Sequence, residues 1–193
     1  ELRDEADAVL PSLDAASQEV FEQINRPHHT LRIERIIDAL RLFRRMYSGQ
    51  IWLEVLLVKG VNDREEELQL LREAIEKIHP DKIQLNTVVR PPAEPDAGPV
   101  GLRRMREIQK LFGSSCEIIP EFDPEFDAEK SVPSGQEIDI DAILALLRRR
   151  PVTLSEIASA LGAETGAVVP VLGELMKKGL AERVVFNGVE YYV

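Results

Sequence analysis

I-W-L-E-V-L-L-V-K-G-V-N-D, residues 51–63, is the stretch on which the reading of this chain turns. Its first eight residues are apolar except for Glu54, as in a strand covered on both sides, yet a carboxylate stands inside the run. Side chains alternate along a strand, so Ile51, Leu53, Val55 and Leu57 share one face, and Trp52, Glu54, Leu56 and Val58 the other. The first face is wholly apolar. The second carries a charge that is costly to bury alone.

Working outward, strand character recurs at 8–14, 82–88 and 116–120, beside 52–58. Helical spacing fills 15–25, 31–47, 65–78 and 102–112 between them. Strands separated by helices predict right-handed βαβ crossovers and a parallel sheet. Asn62 followed by Glu65 predicts an N-cap with a capping box, so that the strand ending at Val58 turns through Lys59-Gly60 into a helix. The neighbouring strands split as 51–58 does. Val9, Pro11 and Leu13 oppose Leu10, Ser12 and Asp14, while Ile83, Leu85 and Thr87 oppose Gln84, Asn86 and Val88. Ser12, Asp14, Glu54, Gln84 and Asn86 therefore face one way, and a wet or ligand-filled cavity inside a curved, barrel-like sheet accounts for them. Asp14 and Asn86 fall at the carboxyl ends of strands, where such sheets bind ligands. The plainer reading pairs Glu54 with a distant Arg or Lys and makes Asp14 and Asn86 helix caps.

Composition shifts after Pro120. The acidic, Pro-, Ser- and Gly-containing segment 121–137 reads as a linker. Beyond it, helices are predicted at 139–149, 154–161 and 166–178, and A-E-R-V-V-F and V-E-Y-Y-V flank Asn187-Gly188, a strong hairpin signal. Three helices closed by a hairpin resemble a winged helix-turn-helix, here spanning 138–193. Its charges, eight acidic against six basic residues from 137 to 193, and the Val, Pro and Gly early in its third helix suit base contact poorly. A protein-docking or substrate-presenting role is favoured, with nucleic acid as the lesser reading.

The whole chain carries a net charge of −10, which argues against a surface built mainly for phosphate backbones. One cysteine, Cys116, makes neither an intrachain disulfide nor, alone, a cysteine-based metal site, and suits a reducing cytoplasm. No apolar run approaches about 18 residues, so no membrane span is expected, and E-L-R-D-E is too charged for a secretory signal. The chain begins without Met on what reads as a helix tail, the expectation for a fragment. His28, His29 and His79 lack the spacing of a zinc helix. Lys59-Gly60 is far weaker than a phosphate-binding loop, and Arg90-Pro91-Pro92-Ala93-Glu94 is a stiff candidate rim. Arg148-Arg149-Arg150 suits the carboxyl end of its helix.

A-D-A-V-L-P-S-L-D, F-E-Q-I-N-R-P, W-L-E-V-L-L-V-K-G-V-N-D and Q-L-N-T-V-V-R-P-P-A-E, taken as a series over residues 1–120, resemble the later half of the barrel in radical S-adenosylmethionine enzymes of the Fe–S oxidoreductase type. The resemblance implies a partial (β/α) TIM-like barrel followed by the small α+β unit. It also implies S-adenosylmethionine and a [4Fe–4S] cluster as the parent's cofactors. It places Ser12 and Asp14 against the ribose and amino-acid part of the cofactor, Glu54 at an inward polar position, and Asn86 with Thr87 near the adenine. The departure is that C-x-x-x-C-x-x-C and the first three strands are missing, so the cluster's thiolates are not here. The implied activity, reductive cleavage of S-adenosylmethionine to begin radical chemistry on an unknown substrate, is thus expected of a longer parent and not of this polypeptide alone. An open barrel edge would favour dimerisation. The alternative is a ligand-sensing regulator whose winged helix binds DNA or a protein partner.

Overall fold

The computed structural model describes residues 5–94, 96–119 and 138–193. The linker read at 121–137 lies outside them. The chain divides into two compact units, Glu1–Val88 with Pro92–Ile119, and Val89–Pro91 with Pro120–Val193.

The first unit runs β1 (Ala8–Val9), α1 (Gln18–Asn25), α2 (Ile33–Met46), β2 (Gln50–Leu57), α3 (Glu65–Ile78), β3 (Lys82–Thr87), α4 (Leu102–Phe112) and β4 (Cys116–Ile118). Its four strands pair in parallel in the order β1-β2-β3-β4. Spatial order that follows chain order, with helices between, is an α/β fold consistent with part of a TIM-like barrel, since a doubly wound sheet reverses direction partway. The strand read at 8–14 is shorter than predicted. Pro11 has no N–H to give a ladder, and pairing resumes as a single bridge at Ser12, where Glu54 N donates to Pro11 O and Leu13 N to Glu54 O, both at 2.9 Å.

Alternation is strict along β2. Ile51, Leu53, Val55 and Leu57 are each 0 % exposed, while Trp52, Glu54 and Leu56 are only partly buried. Helices cover the first face. From α3 come Leu68, Leu71, Ala74, Ile75 and Ile78, and from α4 Met105, Ile108 and Phe112, packed with Leu53, Val55, Leu57, Ile83 and Leu85 in one core. Burying each large aliphatic side chain contributes roughly 1.5–3 kcal/mol. The helix ends follow local chemistry. His79 (φ 55°) closes α3 with its N–H on Ile75 O, and Pro80 follows. In the turn before β2, a Cβ on Gly49 would lie 2.4 Å from Tyr47 Oη and 2.7 Å from Asp7 O, so only glycine fits.

Asn62 departs from the predicted capping box. The N-cap of α3 is Arg64, with no side-chain hydrogen bond. Asn62 is instead fully buried, accepting from Val58 N at 2.7 Å and donating to Asp14 O (2.8 Å) and Leu56 O (2.7 Å). It clips the loop after β2 to the end of β1, because buried backbone groups there need partners.

The second unit holds α5 (Ile140–Leu147), α6 (Leu154–Leu161), α7 (Thr165–Lys177) and an antiparallel hairpin of β5 (Arg183–Phe186) and β6 (Val189–Tyr192). Asn187 (φ 51°) and Gly188 (φ 81°) form its two-residue turn, both left-handed as such hairpins require. Thr153 and Glu156 make a complete capping box at the start of α6. Ile143, Leu147, Val152, Ile157, Val168, Leu172 and Leu175 build a separate core, and Val152 pairs with Tyr192.

Candidate functional site

The candidate site residues lie on the sheet face turned away from α3 and α4. Register aligns Ser12 with Glu54, Glu54 with Gln84 and Gln84 with Glu117, a single polar row across four parallel strands. At about 4.8 Å per strand the row is about 14 Å wide. Ser12 and Glu117 are exposed, and Glu54 and Gln84 half-buried. Parallel sheets ordinarily have both faces covered by apolar packing. This one, within its unit, presents hydrophilic side chains to the side that no helix covers among the described residues.

Partners distinguish the members of the row. Gln84 Nε2 donates to Glu117 Oε1 at 2.9 Å. Lys82, one level towards the amino end, lies 3.8 Å from Glu117 Oε1 and 4.8 Å from the centre of the Trp52 ring. Glu54 has only the Ser12 hydroxyl, at 3.5 Å from Oε2. Among the described residues it makes no ion pair, so the plainer reading of Glu54 as half of a salt bridge is not what the fold builds.

Two residues beyond Ser12 and Glu54 lie Asp14 and Leu56, level with Asn86. Asp14 is occupied. Its Oδ1 accepts from Leu56 N (2.9 Å) and its Oδ2 from Asn25 Nδ2 (2.8 Å), so the side chain extends the ladder where the β1 backbone leaves it. Asn86 Oδ1 accepts from Thr87 N at 2.8 Å, which leaves its amide NH2 as a donor. Thr87 does not join this group. It is buried on the helix-covered side, donating to Leu57 O and accepting from Val100 N, both at 2.8 Å. The carboxyl-end loops are tied down similarly. Lys59 N reaches Gly98 O (3.0 Å), and Arg26 pairs with Glu94 at 2.5 Å, joining the loops after α1 and β3. Glu67, buried in α3, accepts from Ala16 N (2.6 Å) and Ser17 N (3.0 Å) and sets the start of α1.

Glu117 went unread in the sequence, although alternation within C-E-I-I puts it opposite Cys116. Asn62 and Glu67 gave no signal of burial, since both fit a helix start. Cys116 faces the core, and burial, followed by the neighbouring Glu117 charge, pushes its thiol up to about 12. A single buried, protonated thiol does not fit a [4Fe–4S] cluster, whose ligands are thiolates. Ser12, Glu54 and the free amide of Asn86 do suit a polar organic ligand.

Residues 136–193 match the family described as "Sugar-specific transcriptional regulator TrmB". Over 187 residues, 97% of this chain, the sequence is 32% identical to a protein of Brachyspira hyodysenteriae named "GTPase Obg", covering 27% of it. A UPF0026 protein of Helicobacter pylori is 33% identical over 79% of this chain and 47% of its own length. Another, from Methanocaldococcus jannaschii, is 23% identical over 97% of this chain and 58% of its own. The chain thus spans about a quarter to somewhat over half of the curated relatives it matches. Among solved structures, a radical SAM methyltransferase of Sphaerobacter thermophilus aligns at TM-score 0.48 and 19% identity over 57% of this chain and 33% of that one. A domain of a pyruvate-formate lyase-activating enzyme of Bacteroides vulgatus aligns at TM-score 0.49 and 16% identity over 62% and 71%. Likenesses of this size leave function to the site itself.

Proposed function

We propose that residues 5–119 form the ligand-lining part of a radical S-adenosylmethionine enzyme, with Ser12, Glu54 and Asn86 directed at the cofactor. The observation that carries the reading is the polar row in register across four parallel strands on the sheet face without helices. The motif series at 1–120 supports it. When bound together with a cluster, S-adenosylmethionine supplies radical initiation. These residues contribute binding and orientation, with the Ser12 hydroxyl and Asn86 amide as hydrogen-bond donors. Asp14 acts indirectly, by fixing Leu56 and Asn25. The cluster's thiolates would have to come from residues other than these 193, so the polypeptide alone should not cleave the cofactor. Among the described residues β1 is an edge strand, which suits strand pairing between two copies, and sedimentation at several concentrations checks it.

The test is amide NMR of the whole chain during titration with S-adenosylmethionine. Saturable shifts at Ser12–Asp14, Leu53–Val55 and Gln84–Asn86, weakened in Ser12→Ala and Asn86→Ala, are expected. Shifts confined to other surfaces would sink the reading.

The second unit favours another use. Its match to a regulator family, with three helices and a hairpin, supports a winged helix that binds DNA or a protein partner, and the first unit would then sense a ligand. A gel shift whose affinity falls steeply with salt would favour DNA, and retention of a protein partner at high salt the other. The GTPase in one relative's name finds little support here. Gly60 N, the loop donor available to a phosphate, is given to Asp63 Oδ1 at 2.6 Å.

A further inference from the structure

We infer that the open sheet face takes a positively charged ligand group, a primary ammonium, a guanidinium or a sulfonium, with Glu54 as its counter-ion. This rests on the reading of the face as a ligand wall and adds the sign of the charge that it recognises.

Glu54 is held by both backbone hydrogen bonds of the Ser12 bridge, in the second of four strands, so its position is set by the sheet and not by a mobile loop. The residue is half-buried, and the one contact of its carboxylate, long and to a neutral hydroxyl, is exposed. Among the described residues, the two side chains on the adjacent strand that could satisfy it are engaged elsewhere. Lys82 sits over Trp52 and towards Glu117, and Gln84 gives its NH2 to Glu117. Asp14, the other carboxylate on this face beside Glu117, already accepts two N–H donors. A cation placed against Glu54 meets a carboxylate that makes no ion pair among the described residues. An anion there would face both Glu54 and Glu117.

The positive charge has two sources. S-adenosylmethionine carries an ammonium and a sulfonium, and a substrate can carry an amine of its own. NMR titration of the full chain with n-butylammonium, butyrate, S-adenosylmethionine and S-adenosylhomocysteine separates them. n-Butylammonium should shift the amides of Leu53–Val55 and Gln84 saturably, and butyrate should not. Glu54→Gln, which keeps size and hydrogen bonding, should weaken n-butylammonium by about three- to fivefold. If the sulfonium is the cation, Glu54→Gln weakens S-adenosylmethionine by a similar factor and S-adenosylhomocysteine hardly at all. If a substrate amine is the cation, neither adenosyl compound responds to the substitution. Equal shifts by butyrate, or n-butylammonium affinity unchanged in Glu54→Gln, would overturn the inference. Glu54-dependent binding of n-butylammonium without binding of either adenosyl compound would overturn the proposed cofactor and leave the counter-ion standing.

Discussion

The two faces of one sheet obey opposite rules. Towards the helices, Ile51, Leu53, Val55, Leu57 and Leu85 are 0 % exposed, and identity matters through volume and fit. Towards the other side, Ser12, Glu54, Gln84 and Glu117 stand in a row whose members are exposed or half-buried. There, identity matters through charge and hydrogen bonding. Adjacent residues such as Leu53 and Glu54, or Cys116 and Glu117, therefore do different work. What this teaches is that the strand backbone, common to both faces, is stabilised from one side and left available on the other.

The contrast is sharpest in stability. Leu53→Ala should cost about 3 kcal/mol, within the roughly 2–5 kcal/mol of buried leucine truncations, seen as a lower urea midpoint with unchanged slope. A loss under 1 kcal/mol would mean that the helix-covered face is not a packed core. Next comes the clip that joins the strand ends. Asn62→Ala leaves Val58 N, Asp14 O and Leu56 O without their partner, and about 2 kcal/mol should be lost. Faster amide exchange at Val58 is the local check.

Titration tests the charges. Glu156 is the counterpart of Glu54, a carboxylate with partners. Burial works to raise its pKa. The Arg90 hydrogen bond, the Thr153 backbone and the Arg90 and Arg150 charges outweigh burial and hold it below the usual glutamate range. Arg90 grips it at 2.6 and 3.1 Å. Its contribution is therefore present above an ordinary glutamate pKa of about 4.3 and lost as pH falls through the lower folded value. Glu156→Gln should flatten the acid limb of the second unit's stability, and an unchanged limb would discount the pairing. Cys116 has the opposite sign. Its raised pKa, to about 12, favours folding below the unfolded thiol value and loses that advantage as pH rises towards the folded one. Alkylation of the native chain at neutral pH should be slow, and rapid modification would show that this side of the sheet opens. The smallest effect is expected at Glu54→Gln, within about 0.5 kcal/mol of the parent in stability, because the carboxylate makes only one long, exposed contact.

Legibility varied with the range of the interaction. Period-two alternation placed Ser12, Glu54, Gln84 and Asn86 on one face, and helical spacing placed a helix at 65–78, whose Leu68, Leu71, Ile75 and Ile78 the fold buries. Two similar patterns had different fates. Thr153 with Glu156 closed a capping box, whereas Asn62 with Glu65 did not. The local pattern is the same at both sites. At Asn62 the carbonyls of Asp14, beyond β1, and of Leu56, in β2, come close enough to claim the amide, an encounter that depends on residues 48 and 6 positions away. The family resemblance places Thr87 with Asn86 near the adenine of the cofactor. Leu57 O and Val100 N, one from the neighbouring strand and one from the next loop, claim its hydroxyl instead.

Amino-acid order alone determined which segments are strands and helices, the hairpin at Asn187-Gly188, and which way each strand side chain points, because those follow from backbone geometry repeated every two or 3.6 residues. Tertiary structure alone decided that four strands stand in register, that Glu117 completes the row, and that Glu54 makes no ion pair among the described residues while Asp14, Gln84 and Lys82 find partners. Pairing between distant segments has no local periodicity to announce it. It is set by which groups meet once helices have packed against one face.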